Sequence, residues 1–259
     1  MAYDKIVDSG ALDTKLTAIA DAIRGKTGKT EEMTLDQMVT EIAGIQIGGG
    51  GDISAFLSLL DKSCTEINLP GVVTIGLFGA SIDRLCTYNN NLLSACFPDL
   101  ENLYSQYCFA DCSNLQSLQL QKLSSELPNY MCENCSKLKE MRLPSLKSNS
   151  GSAQFRGCSS LELVEFGAVG RLGAFPRVGS YMFTNCVSLK TLIFRNPNQV
   201  WSLFAQNAFD NTPFAVGGTG GTVYCSQALI EQYQTATNWS TLYAAGTCNF
   251  VAIEGSEYE

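Results

Sequence analysis

From Leu92 onward the chain repeats one short apolar pattern, Leu-x-x-apolar-x-apolar, in the frames Leu92-Ala95-Phe97, Leu115-Leu118-Leu120, Leu138-Met141-Leu143, Leu161-Val164-Phe166 and Leu189-Leu192-Phe194. The leading leucines stand 23 residues apart three times in succession, and the step to Leu189 is 28 because GAVGRLGAFPRVG is inserted. A degenerate copy, Ile67-Asn68-Leu69-Pro70, precedes them. Alternation within each frame predicts a short strand, and the fixed period predicts a solenoid in which each unit buries its apolar face only against its neighbours. Leu118 and Leu120 then point inward. The opposite register, Ser117, Gln119, Glu140, Arg142, Leu163, Glu165, Thr191 and Ile193, forms an outer face and is the candidate binding surface.

Two further columns follow the same period. Three residues before the leading leucines stand Cys112, Cys135, Cys158 and Cys186, with Asn89 in the earliest copy; six before stand Phe109, Cys132, Phe155 and Phe183. Cysteine as a repeat position reads as a small buried hydrophobe rather than a metal ligand. Cys132 and Cys135 have CxxC spacing, but each fills a repeat position and no second CxxC or histidine completes a set of four. Eight residues before the leucines stand Tyr107, Tyr130 and Tyr181, interrupted by Ala153. That aromatic column could hold sugar rings, or could pack beneath the turns with its hydroxyls wet.

Residues 1–47 follow a different pattern. Leu12, Leu16, Ile19, Ala20 and Ile23 lie at helical spacing before Gly25; Thr34 and Gln37 then form a capping box for a second helix carrying Leu35, Met38, Val39 and Ile42. Two helices of this length bury too little to be stable alone, so Leu12, Leu16, Ile19, Ile23, Leu35, Met38, Val39 and Ile42 are the candidate anchor contacts to a partner. Residues 48–51, all glycine, read as a joint. Asp52 opens a helix carrying Ile53, Phe56, Leu57 and Leu60, expected to close the near end of the core. The expected organisation is a helical anchor (1–47), a glycine linker (48–51), a capped solenoid (52–253) and an acidic tail (254–259), an α/β, β-rich fold.

Composition narrows the chemistry. Among 259 residues there is no histidine, which removes the commonest general base and zinc ligand, and no catalytic residue, metal or cofactor is expected. Lys and Arg number 17 against 25 Asp and Glu, a net charge of −8 that disfavours nucleic acid. The pairs Asp99 and Glu101, and Glu162 and Glu165, could be imagined as acid and base, but surface carboxylates in an acidic protein are normally solvated. Gly217-Gly-Thr-Gly-Gly221 lacks the Lys and Ser/Thr of a phosphate loop and reads as a turn. The opening MAYDKIVDSG has neither a basic nor an apolar region of a secretory signal, and no apolar run approaches a membrane span, so no membrane insertion is expected.

The motif F-x-x-C-x-x-L, as in Phe109-Ala-Asp-Cys112-Ser-Asn-Leu115 and Phe183-Thr-Asn-Cys186-Val-Ser-Leu189, resembles the bacterial BspA-like leucine-rich repeat family over roughly residues 64–253. Thr222 to Cys225, Ala228 to Tyr233 and Ala236 to Trp239 are similar to the strand-plus-helix cap that often ends such solenoids. The resemblance implies recognition and adhesion, not catalysis. Val7 to Leu12, Leu16 to Arg24 and Leu35 to Val39 resemble N-terminal segments of tail, baseplate and fibre proteins of phages of Gram-positive bacteria. Together these imply a virion protein made in the host cytoplasm, joined through residues 1–47 to other tail or baseplate proteins, with the solenoid meeting a host-surface glycan or protein. The alternative is a bacterial surface adhesin or interaction module. A homo-oligomer would suit a fibre, but no heptad repeat specifies one.

Overall fold

The computed structural model describes residues 62–75, 86–146, 149, 151–167 and 176–259. The expectations for residues 1–47, the glycine joint and the helix from Asp52, including all eight anchor contacts, lie outside them.

Each repeat frame forms a strand where its alternation predicts one: β1 (Glu66–Asn68), β3 (Ser94–Cys96), β5 (Ser117–Gln119), β6 (Glu140–Leu143), β7 (Leu163–Phe166) and β9 (Thr191–Phe194). Pairing is parallel, with Ser94 opposite Ser117 and Glu140 opposite Leu163, so one repeat length along the chain is one step along the stack. Shorter strands follow within the coils: β2 (Thr74–Ile75) pairs with β4 (Asn102–Leu103), and β8 (Arg177–Val178) with β10 (Ser202–Leu203). The chain ends with β11 (Gly221–Cys225), α1 (Ile230–Thr235), α2 (Trp239–Ala244) and β12 (Cys248–Ala252), β12 being parallel to β11. No helix among the described residues is long and apolar enough to cross a membrane.

The five leading leucines are fully buried, as are Phe97, Leu120, Leu143, Phe166 and Phe194 at the ends of their frames. Each such side chain contributes about 1.5–3 kcal/mol of burial. Near the C-terminus the core turns aromatic. Trp239 Nε1 donates to the Trp201 carbonyl at 2.7 Å, and the Trp201 amide donates to the Tyr233 hydroxyl at 2.9 Å, a hydroxyl whose pKa burial pushes up. Phe194 stacks on both Trp201 and Tyr233.

The turns on the other side of each coil are held by two backbone positions with positive φ. One carries Tyr107 (53°), Tyr130, Ala153 and Tyr181 (each 57°); the other, four residues later, carries Asp111 (57°), Asn134 (59°), Gly157 (78°) and Asn185 (65°). A tyrosine in this region is strained by roughly 1–2 kcal/mol. Backbone bonds offset it: the Tyr107 amide donates to Asn129 of the next coil, and the Tyr107 carbonyl accepts from Ala110. At the second position asparagine, aspartate and glycine are the residues that tolerate the conformation best. Their side chains also bridge coils, Asn134 Nδ2 donating to Asp111 Oδ1 and Asn211 Nδ2 to Asn185 Oδ1, both at 2.8 Å.

The cysteine column is more than apolar filling. Each thiol donates to a carbonyl of the preceding coil: Cys112 to Cys86 at 3.1 Å, and Cys135 to Phe109, Cys158 to Cys132 and Cys186 to Phe155, each at 3.0 Å. The same carbonyls accept an amide from their own coil, as Phe109 does from Cys112, so the thiol uses the second lone pair. Burial raises the pKa of Cys112, Cys158 and Cys186 and keeps them as thiols. All eleven cysteines are free.

Candidate recognition face

The outer face is built from alternate residues of β5, β6, β7 and β9, and its chemistry changes along the stack. At its centre is an ion-pair ladder. Arg142 Nη1 donates to Glu165 Oε2 at 2.7 Å and Arg195 Nε to Glu165 Oε1 at 2.8 Å, while Arg142 Nη2 meets Glu140 Oε2 at 3.2 Å. Glu165 therefore corrects one expectation: it points to the outer face but is 7% exposed, because the guanidinium groups of Arg142 on β6 and of Arg195, just after β9, close over it. Charged hydrogen bonds to both of its oxygens satisfy a carboxylate that burial alone would penalise.

Ile193 is the second correction. Expected on the open face, it is fully buried. It lies opposite Glu165 on one side and Tyr224 of β11 on the other. The C-terminal turn folds back toward this end, bringing the Tyr258 ring within 4.6 Å of the Tyr224 ring, edge to face. Glu254 holds that turn, accepting from the Ser226 hydroxyl at 3.0 Å and the Gln227 amide at 2.9 Å.

The opposite end of the face is open, and there the sheet is broken. Order runs β1-β3-β5 in one sheet and β6-β7-β9-β11-β12 in the other. In the residue before each strand the amides of Gln116, Glu162 and Lys190 donate to Leu93, Lys139 and Glu162 of the preceding coil at 2.8–3.1 Å, whereas the equivalent amide of Lys139 makes no such bond. Over this seam lies a cleft of about 640 Å³. Ser117, Gln119, Glu140, Arg142 and Leu163 line it, five of the eight face residues expected from the pattern. Gln116, Gln121, Lys139 and Glu162 complete its walls; the period places them beside strands but carries no sign that the ladder opens there. The cleft also reaches Leu118, an inward residue that is 5% exposed while its counterparts Met141, Val164 and Leu192 are fully buried.

The aromatic column does not make a continuous platform. Tyr107 and Tyr130 stack on each other at 4.5 Å and 3°, Arg156 lies over the Tyr130 ring at 5.4 Å, Ala153 interrupts the series, and Tyr181 stands exposed. Among the described residues no group of three or more acidic, cysteine or histidine side chains is placed to hold a metal ion.

Residues 80–215 match the family model described as the BspA type leucine rich repeat region, in six copies. The chain belongs to this BspA-type leucine-rich repeat family. No curated protein matches it. Among solved structures the BspA-type chain is similar to the pneumococcal vaccine antigen PcpA, at 17% identity and a TM-score of 0.51 over 73% of this chain. The likeness is one of fold, and the chain spans 41% of that antigen's length.

Proposed function

We propose that this protein is a non-enzymatic recognition protein whose repeat solenoid engages a surface partner through the open end of its strand face. The observation that carries the reading is the clustering of five pattern-derived face residues around one cleft, while the remainder of the face is closed by ion pairs and the C-terminal turn. Repeat stacks of this kind present extended surfaces suited to binding. The resemblance of Val7–Leu12, Leu16–Arg24 and Leu35–Val39 to segments of phage tail proteins motivates a virion setting, with the anchor on a tail or baseplate and the solenoid facing the host. Weak contacts suffice there, because several copies on one particle act at high effective concentration.

A second reading, a bacterial surface adhesin, draws support from the fold shared with a pneumococcal vaccine antigen. Immunogold electron microscopy of an induced culture, with antibody to residues 52–259, separates the two. Label at phage tail tips is the expected result; label confined to cell envelopes selects the adhesin. Deletion of residues 1–47 is expected to abolish incorporation into particles, and unchanged incorporation sinks the anchor role.

A further inference from the structure

The seam between β5 and β6 differs from every other step of the strand side in three linked ways. The ladder is interrupted, a cleft lies over the interruption, and the cleft reaches a core leucine. Parallel pairing alternates the side to which successive residues turn their backbone groups. Lys139 and Leu143 turn theirs to β7, where their carbonyls accept from Glu162 and Gly167. The amides of Glu140 and Arg142 therefore turn toward β5, which they do not bond.

The cleft walls have matching chemistry. On the β5 side stand Ser117, Gln119 and Gln121, neutral groups that both donate and accept. Ser117 and Gln119 stand two residues apart on β5, about 6.6 Å, which is also the repeat of the peptide groups facing one side of an extended chain, and Gln121 follows in the turn beyond the strand. On the other side Glu140 and Arg142 are paired with each other, and Lys139 and Glu162 balance in charge at the rim. Among the described residues no aromatic ring lines the cleft, so these walls offer no stacking platform for a sugar.

We propose that the seam cleft receives an extended, polar polypeptide segment of a partner protein, laid alongside β5 with its backbone hydrogen-bonded to the glutamine row. The proposal rests on the recognition reading above and adds the class of ligand. Binding through main-chain groups gives affinity for an extended strand, with flanking side chains selecting sequence.

The test is to pan a random dodecapeptide display library against the full chain, with a glycan array in parallel. Enriched peptides are expected to bind the wild type, to lose about tenfold or more in affinity with Gln119→Trp and Gln121→Trp, which fill the cleft, and to be unaffected by Gln232→Trp, an exposed site on α1. They should also slow alkylation of Cys96, whose Sγ lies 3.4 Å from Gln119 Oε1. Failure to enrich any peptide, or enriched peptides indifferent to both cleft variants, overturns the proposal. Glycan binding lost in Gln119→Trp also overturns the polypeptide assignment while leaving recognition standing. The recognition reading itself fails separately, if the protein is found neither on particles nor on cell envelopes.

Discussion

The two sides of each coil obey different rules. On the turn side the coils share one scheme, thiol to carbonyl and amide to the next coil, with asparagine bridges from Asn134 to Asp111 and from Asn211 to Asn185 and phenylalanines such as Phe155 and Phe183 stacked 5.8 Å apart beneath. On the strand side the ladder runs, stops at β5, and resumes at β6. The turn side carries positive-φ residues and buried carbonyls, groups that are costly to leave unsatisfied, and so has little freedom. The strand side exposes its outer row to solvent and can change charge, open a cleft or be covered without loss of the core. Specific chemistry is therefore expected on the strand side.

The largest effect that would break this contrast is a matched pair of truncations. Phe155→Ala on the turn side removes a fully buried ring and is expected to cost about 3–5 kcal/mol. Leu163→Ala on the half-buried outer face is expected to cost about 1 kcal/mol or less. Urea unfolding midpoints at unchanged slope measure both, and equal losses would refute the division.

Amide hydrogen exchange tests the seam without altering the sequence. Lys139 and Glu140 should exchange on the order of 100-fold faster than Gln116 and Glu162, whose amides are bonded to the preceding coil. Uniform protection across the four would show the ladder to be continuous and remove the basis of the cleft.

A smaller effect lies in the left-handed turn position. Asn134→Ala places a methyl-bearing residue at φ 59° and deletes the bond to Asp111, for an expected loss of about 1–2 kcal/mol. Asn134→Gly keeps the permitted conformation and should lose less than half of that. If the two variants lose equally, the side-chain bond rather than the backbone conformation sets the preference.

That column was open to a reader of the sequence: Asp111, Asn134, Gly157 and Asn185 each stand four residues before a leading leucine, and those residue types favour positive φ. The leucine frames and the cysteine column are legible because burial dictates residue type at a fixed period. Alternation places Glu165 and Ile193 on the outer side of the sheet but does not give their burial, which comes with neighbours remote in sequence, Arg142 and Arg195 around Glu165 and Tyr224 beside Ile193. The seam left no mark at all. Ser117-Leu-Gln119 and Glu140-Met-Arg-Leu143 alternate inward and outward alike, and the difference between a bonded and an unbonded pair of strands lies in backbone position.

The smallest effect concerns charge at the coil edge, where Asp99 accepts from the Gly71 amide at 2.8 Å and pairs with Lys122 at 2.7 Å. The Lys122 ammonium, and next the Gly71 amide, hold the Asp99 carboxyl below its ordinary pKa. Its folded value thus lies under the unfolded value of about 3.9, so its contribution to stability is present above that value and is lost as pH falls through the folded pKa. The pair is exposed, and solvent and salt screen it. Asp99→Asn should accordingly leave the stability near pH 7 almost unchanged and flatten the decline below about pH 4, relative to wild type. An identical acid limb in the two proteins would show that Asp99 titrates in the folded state as it does in the unfolded chain.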